Sequence, residues 1–581
     1  MTFSNLAIIA GDAELAEHVC SRLRKPGVYL SVIEAPAMWK VEYGFFENAC
    51  IRVSNAVRAL EVQKVLFLKV PPEVANKLRT FFTEIECIAF EHFDAQALSV
   101  HARLNDQALG FEALLVSGTG CEAEIFAVEG SFNISHVIAA NLAIAHGGGI
   151  LQLSEVSESE LDMLKEELWI WSNGTAEEKR AAKDASLAFV EARLPKALFE
   201  IKSDKPISFI TRGVPYGLLP FDRPTTHYFP FSSLGINVCS GMLKSLSRAR
   251  CPVVILIDPN KVGQSEFEVL RKTFGAAGYY LRLAYGDLAT VTQARYLAQC
   301  LPSDFIFFST HCGEVDGRRM TERFPDRRGV YHEICYDRIL SISPTPEFAA
   351  NPSPDGLIEV MFLYVPISID GISWGDRPGK EKVKAGELME DFLLHARTHK
   401  EGSEAREVLA NVESRNVKGF EGLQMADGHY LPVHEDIGAC HYPVVFNNAC
   451  CSWRTLAKNF GCSGAAVYIG TATDVFNLVA TTVASAFAKA VTSGKCVGLA
   501  LFRSQKDFTN QFGYTPYLMH GYFYTKLNNP NPQLRHNRVR ERCLSAIEAA
   551  LRLPESERKH SIITFLKQEL EGLSNVSTHS I

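Results

Sequence analysis

The chain predicts an α/β fold, a mostly parallel sheet flanked by helices. Three observations carry that expectation. Short apolar runs of strand length recur along the sequence. Segments with charged and apolar residues at helical spacing separate them. At 581 residues the chain is also too long for one core, so a second α/β unit is expected beside the first.

Residues 1–154 form the first expected α/β domain, with a sensing or partner-binding role, or the role of a degenerate structural half. Its strands are expected at 6–9, 65–68 and 113–116. Residues 133–145 predict a helix that Gly147-Gly148-Gly149 ends, followed by a strand at 150–153. Over 155–204, Glu160, Lys165, Glu166, Glu177 and Lys179 interleave with Leu161, Leu164, Leu168 and Trp171. That pattern predicts a helical connector, broken at Asn173-Gly174.

The second unit spans 205–530, with strands at 207–211, 253–257, 305–309, 444–446 and 466–469. Its helices are expected near 266–276, 290–301, 479–493 and 496–507. From about 317 to 440 the sequence turns rich in Pro, Gly and charge, which marks an insertion on the face that carries the chemistry. Within it, 360–369 predicts a short strand and 388–395 a helix. The tail, 531–581, is expected to be helical over 537–573.

An apolar content of 47% and a charged content of 22% match an ordinary globular protein. Net charge is −7 and no dense Lys/Arg run occurs, so no nucleic-acid groove is expected. No run approaches the roughly 18 apolar residues of a membrane span, and no secretory signal opens the chain. Fifteen scattered cysteines then suit reduced thiols in a cytoplasmic compartment. No cofactor is expected.

Two of the apolar runs end on chemistry. Phe305-Ile306-Phe307-Phe308 leads through Ser309-Thr310 to His311-Cys312-Gly313, and Val444-Val445-Phe446 leads through Asn447-Asn448-Ala449 to Cys450. Loops at the carboxyl ends of strands in an open sheet are where ligands and reactions collect. A thiol and an imidazole there are the minimum equipment of a nucleophile and its base. Other signals are weaker. Gly371-Ile372-Ser373-Trp374-Gly375 fits a serine-hydrolase elbow, but the Asp376-Arg377-Pro378-Gly379 turn stands where a helix is needed. Ser117-Gly118-Thr119-Gly120 lacks the ending of a phosphate loop. His429, His434, Cys440 and His441 fit no zinc spacing, so no metal is expected.

From residue 207 to 527 the chain resembles the CHAT domains, caspase-like cysteine peptidases of the caspase, separase and gingipain fold group. The resemblance rests on pieces in the family's order. These are Gly213 to Phe221, Tyr228 to Leu234, Val253 to Pro259, Ser309-Thr310-His311-Cys312-Gly313, Asn448-Ala449-Cys450, and Gly464 to Gly470 with the following helix. Three departures stand out. Cys312 intervenes before the glycine that commonly follows the histidine, a second thiol, Cys451, follows the matched nucleophile, and His311 and Cys450 lie 139 positions apart.

The resemblance implies a caspase-like sheet and an endopeptidase dyad of Cys450 and His311. The oxyanion would be held by the N–H groups of Gly313 and Cys450, with Cys312 as fallback. Adjacent side chains on a strand point to opposite faces, which favours Cys450 over Cys451 for the cleft. Asp474 and Asp316 are the candidate acids for a basic substrate side chain. Expected partners are a protein or peptide substrate and an activating protein or small-molecule ligand, with no nucleic acid and no membrane. Family members often serve as switched proteases in bacterial signalling or defence. The competing expectations are a silent pseudopeptidase scaffold and a nucleotide-sensing protein.

Overall fold

The computed structural model describes all residues except 1, 36–45, 117–122, 201, 231–233, 247–250, 263–265, 316, 345–357, 375–378, 400–406, 415–420, 433–440, 528–529, 552–556 and 578–581. Strands β1 (Thr2–Ala10), β2 (Val28–Glu34), β3 (Lys64–Leu68) and β4 (Glu86–Phe90) form a small sheet in the order β2-β1-β3-β4, all pairs parallel. The helix Leu234–Ser245 packs onto it so closely that a Cβ on Gly235 would stand 2.2 Å from the Val32 carbonyl oxygen. Glycine is what that approach requires.

The main sheet has ten strands. They are β5 (Ile125–Glu129), β6 (Gly149–Leu153), β7 (Ile207–Ile210), β8 (Thr225–Tyr228), β9 (Val253–Asp258), β10 (Tyr280–Tyr285), β11 (Phe305–Phe308), β20 (Val444–Asn447), β21 (Val467–Thr471) and β22 (Tyr517–Gly521). Their order is β10-β9-β11-β20-β21-β22-β8-β7-β5-β6. Only β21 and β22 pair antiparallel, so two parallel halves of five strands run in opposite directions. A boundary at 154 therefore does not separate two sheets, because β5 and β6 complete the same sheet as the residues after 205.

The strands at the centre are buried on both faces and read as unbroken apolar runs, as central parallel strands do. Alternation divides their side chains between two layers. Phe305 and Phe307 face the helices Glu266–Ala276, Asn477–Thr492 and Val497–Phe512. Ile306 and Phe308 face the helices Val291–Cys300 and Arg454–Cys462, where Val539, Cys543 and Phe565 of the tail helices also pack.

The expected helix at 133–145 is Ile134–His146, capped by Asn133 and closed by Gly147 in the left-handed region (φ 67°). The connector is a hairpin of helices Glu158–Asn173 and Ala176–Glu191, each opened by a capping box (Ser157/Glu160 and Thr175/Glu178). One expected strand is absent. Ala113 and Leu114 end a 3-10 turn, Phe111–Leu114, and Leu115 makes an isolated bridge to Ile150.

The insertion is far more regular than expected. Strands β12 (Cys312–Glu314), β13 (Gly317–Pro325), β14 (Tyr331–Pro344), β15 (Ile358–Ile369), β16 (Ile372–Ser373), β17 (Glu407–Ser414), β18 (Glu421–Gln424) and β19 (His429–Tyr430) build two antiparallel sheets, β16-β15-β14-β13-β17 and β12-β18-β19. The larger sheet packs Met320, Phe324, Ile334 and Tyr336 against Met389 and Phe392 of the helix Gly379–Thr398. Ser373 sits in the two-residue edge strand of a hairpin that turns at Asp370 and Gly371. That rules out the strained strand-to-helix turn of a serine elbow.

Where the two halves of the main sheet meet, His227 and His520 are fully buried. His227 Nδ1 lies 3.0 Å from the Met519 carbonyl and its Nε2 accepts the Gly217 N–H at 3.0 Å. Burial lowers His227 from 6.5 to about 4. Burial, with the neighbouring His227, lowers His520 to about 3. Both folded values lie below the ordinary one, so in acid the unfolded chain binds more protons. Stability present above pH 6.5 is then lost as pH falls toward 4. Urea unfolding from pH 7 to pH 4 should show a loss on the order of 5 kcal/mol from this pair. His520→Phe, which keeps the stacking on Phe229 (centroids 4.9 Å apart), should flatten that slope, and an unchanged slope would refute the assignment.

Candidate functional site

Three carboxyl ends converge, those of β11, β20 and β21. β11 and β20 are paired parallel neighbours in register from Phe305↔Val444 to Phe308↔Asn447, so the residues that follow them emerge side by side. The chain after β11 is clamped by β18. Gln424 N–H donates to the His311 carbonyl at 2.9 Å, and the Thr310 hydroxyl donates to the Gln424 carbonyl. This fixes the His311 backbone while its side chain stays exposed.

The chain after β20 turns. Asn448 N–H donates to the Phe308 carbonyl at 2.8 Å, and the Thr471 hydroxyl donates to the Ala449 carbonyl at 3.0 Å. Cys451 is left-handed (φ 54°), a conformation that costs a non-glycine residue about 1 kcal/mol. The strand has already ended at Asn447, so this turn, and not strand alternation, sends the two thiols apart. Cys450 lines an open pocket with His311, Thr310, Asn448, Val475 and Glu266. Cys451 instead lies 3.1 Å from Ser172 Oγ and 3.7 Å from Asp474 Oδ1.

Val475 N–H donates to Cys450 Sγ at 3.4 Å. Burial pushes the Cys450 thiol up, the Val475 N–H partly offsets this, and the Asp474 charge adds to the rise. Cys451 is pushed up to about 12 by burial, with Ser172 opposing and Asp474 reinforcing. Cys312, half-buried, is pushed well above the ordinary thiol value by burial and then by Glu421.

The expected oxyanion donors change places. Cys312 pairs with Leu423 and Gly313 with Gly422, and the Gln424-to-His311 bond fixes the phase of that ladder. Alternation then turns Gly313 N–H toward the Gly422 carbonyl and Cys312 N–H to the open edge of β12. Gly313 is thus committed to the ladder, and the fallback donor is the free one. Asp474, expected as a substrate acid, is exposed and pairs with Lys179 at 3.7 Å. Asp316 lies outside the described residues, as do His434, Cys440 and the Ser117–Gly120 run. His429 is exposed and His441 buried. Among the described residues no group of three His, Cys, Asp or Glu could hold a metal, and no helix is long and apolar enough to cross a membrane.

Sequence reasoning missed Glu266, the pocket's own carboxylate. It is 4% exposed and accepts from Ser309 Oγ at 2.8 Å, Asn448 Nδ2 at 2.6 Å and Thr481 Oγ1 at 3.3 Å. The Tyr517 hydroxyl donates to Asn448 Oδ1, which fixes that amide. As the first residue of a helix, Glu266 looks like any acid favoured at a helix start. Beneath it Asp258 is raised to about 6, by burial first and by the Glu266 charge as well.

No family model and no curated protein sequence matches the chain. Among solved structures, the chain is similar to the Arg-specific cysteine proteinase gingipain R, with a TM-score of 0.33 and 8% identity over 71% of this chain and 80% of that one.

Proposed function

We propose that the chain is a cysteine endopeptidase of the CHAT, caspase-like kind, with Cys450 as nucleophile and His311 as its base. The observation that carries this reading is that one pocket, at the carboxyl ends of two paired strands, is lined by both residues. The imidazole accepts the thiol proton, the thiolate attacks a peptide carbonyl, and a thioester forms that water then clears. In this reading Cys450 N–H and Cys312 N–H would hold the oxyanion, each worth about 3 kcal/mol in such a site.

The thiol is held up by burial and by Asp474, which describes a site at rest. An activating protein or small ligand that neutralises the Asp474 carboxylate, and leaves the Val475 N–H on Cys450 Sγ, would lower it. A switched role of this kind, as in bacterial signalling or defence, suits a cytoplasmic enzyme. The same observation favours the second reading, a silent scaffold. N-terminal profiling of cells expressing wild type against Cys450→Ala separates the two. New cleavage sites support the peptidase, and identical profiles under varied stimuli support the scaffold.

Glu266 accepts only neutral donors among the described residues, so a lysine or arginine side chain is the natural complement of the pocket. Glu266→Gln should lower kcat/KM for peptides with a basic residue before the cut about 10²-fold, the scale of truncating a buried charge pair. Peptides with a neutral residue there should change little. Equal losses on both series, in a variant with the wild-type Tm, would remove Glu266 from specificity.

A further inference from the structure

Two thiols stand next to each other after β20, and their surroundings must decide which one reacts. We propose that Ser172, in the last turn of the helix Glu158–Asn173, is the positioning residue that makes this choice. It keeps Cys451 out of the pocket and holds the Asp474-Val475 turn against Cys450. The proposal rests on Cys450 being the nucleophile named above.

Ser172 is 2% exposed and lies some 280 residues before the thiols in sequence. Its Oγ is 3.1 Å from Cys451 Sγ and accepts the Asp474 N–H at 3.2 Å. One oxygen therefore ties the second thiol to the loop after β21. The next residue of that loop, Val475, donates its N–H to Cys450 Sγ. A donor aimed at sulfur favours the thiolate over the thiol, so the position of this loop bears on the reactivity of Cys450.

The connector hairpin is itself fastened in place. Lys179 Nζ donates to the Ser172 carbonyl and pairs with Asp474. Trp171 packs edge-on against Tyr514 with centroids 4.9 Å apart, and Lys183 Nζ donates to the Phe512 carbonyl at 2.8 Å. What the sequence presents as a connector between two halves thus serves as the support of the nucleophile turn.

The test uses alkylation of the full chain by iodoacetamide from pH 6 to pH 10, with peptide mass spectrometry reading Cys450 and Cys451 separately. Wild type should react mainly at Cys450. Ser172→Ala releases Cys451 toward the pocket, so the Cys450-to-Cys451 ratio should fall about five-fold, the size of one lost hydrogen bond, although the lost hydroxyl also favoured the Cys451 thiolate, and the Cys450 profile should move to higher pH. Ser172→Thr, which keeps the hydroxyl, should restore the profile. An unchanged ratio and profile in a Ser172→Ala protein that melts like wild type overturns the proposal. If Ser172→Ala does not fold, Lys179→Met decides, since Lys179 is only half-buried. A shift in the same direction supports the latch, and no shift overturns it. Alkylation needs no turnover, so a protein that never cleaves a peptide yet shows the Ser172-dependent ratio sinks the peptidase reading and leaves this one standing.

Discussion

Cys450→Ala should abolish peptide turnover, a loss of at least about 10⁴-fold, whereas Cys451→Ala should retain activity within about three-fold. The contrast follows from the turn at the end of β20. Cys450 faces the pocket that His311 lines, and Cys451 faces Ser172 and Asp474. A thiol-reactive peptidyl probe should label wild type and Cys451→Ala but not Cys450→Ala. Labelling that persists without Cys450 and vanishes without Cys451 would exchange their roles. Both thiols are half-buried, so exposure alone does not predict this difference.

His311→Ala should cost 10²- to 10⁴-fold in kcat, the usual contribution of a positioned general base. Burial and the Asp474 charge both oppose ionisation of Cys450, so the thiol depends on a base to lose its proton. KM should change little, because the His311 backbone is held by Gln424 and Thr310 independently of the ring. A variant that turns over at the wild-type rate would remove His311 from the chemistry.

The two strands that lead to His311 and Cys450 were legible because they are buried on both faces. Phe305–Phe308 and Val444–Phe446 present uninterrupted apolar runs, and buried runs of this kind are hard to place elsewhere. β22 was not legible, since His520 and Gly521 break its apolar run, although every residue of it is buried. The insertion misled for the opposite reason. In β13, Met320, Glu322 and Phe324 are buried while Arg318, Arg319 and Arg323 are exposed, so its composition reads as charged loop although its spacing is that of a strand. Within the site, His311 and Cys450 could be singled out from their place at strand ends. Glu266 and Ser172 could not, because each acts through contacts that only the folded sheet brings together.

The continuity of the ten-stranded sheet bears on how this protein can be dissected. A fragment starting near residue 205 would strip β5 and β6 from β7 and bare a row of backbone donors and acceptors on a strand whose four residues are otherwise wholly enclosed. Such edges recruit other chains, so the excised piece would tend to self-associate before it could be assayed. It would also lack the helical hairpin whose Ser172 is bonded to the loop beside Cys450 and Cys451. The first two hundred residues are, in this architecture, an inseparable flank of the main sheet and not a detachable accessory.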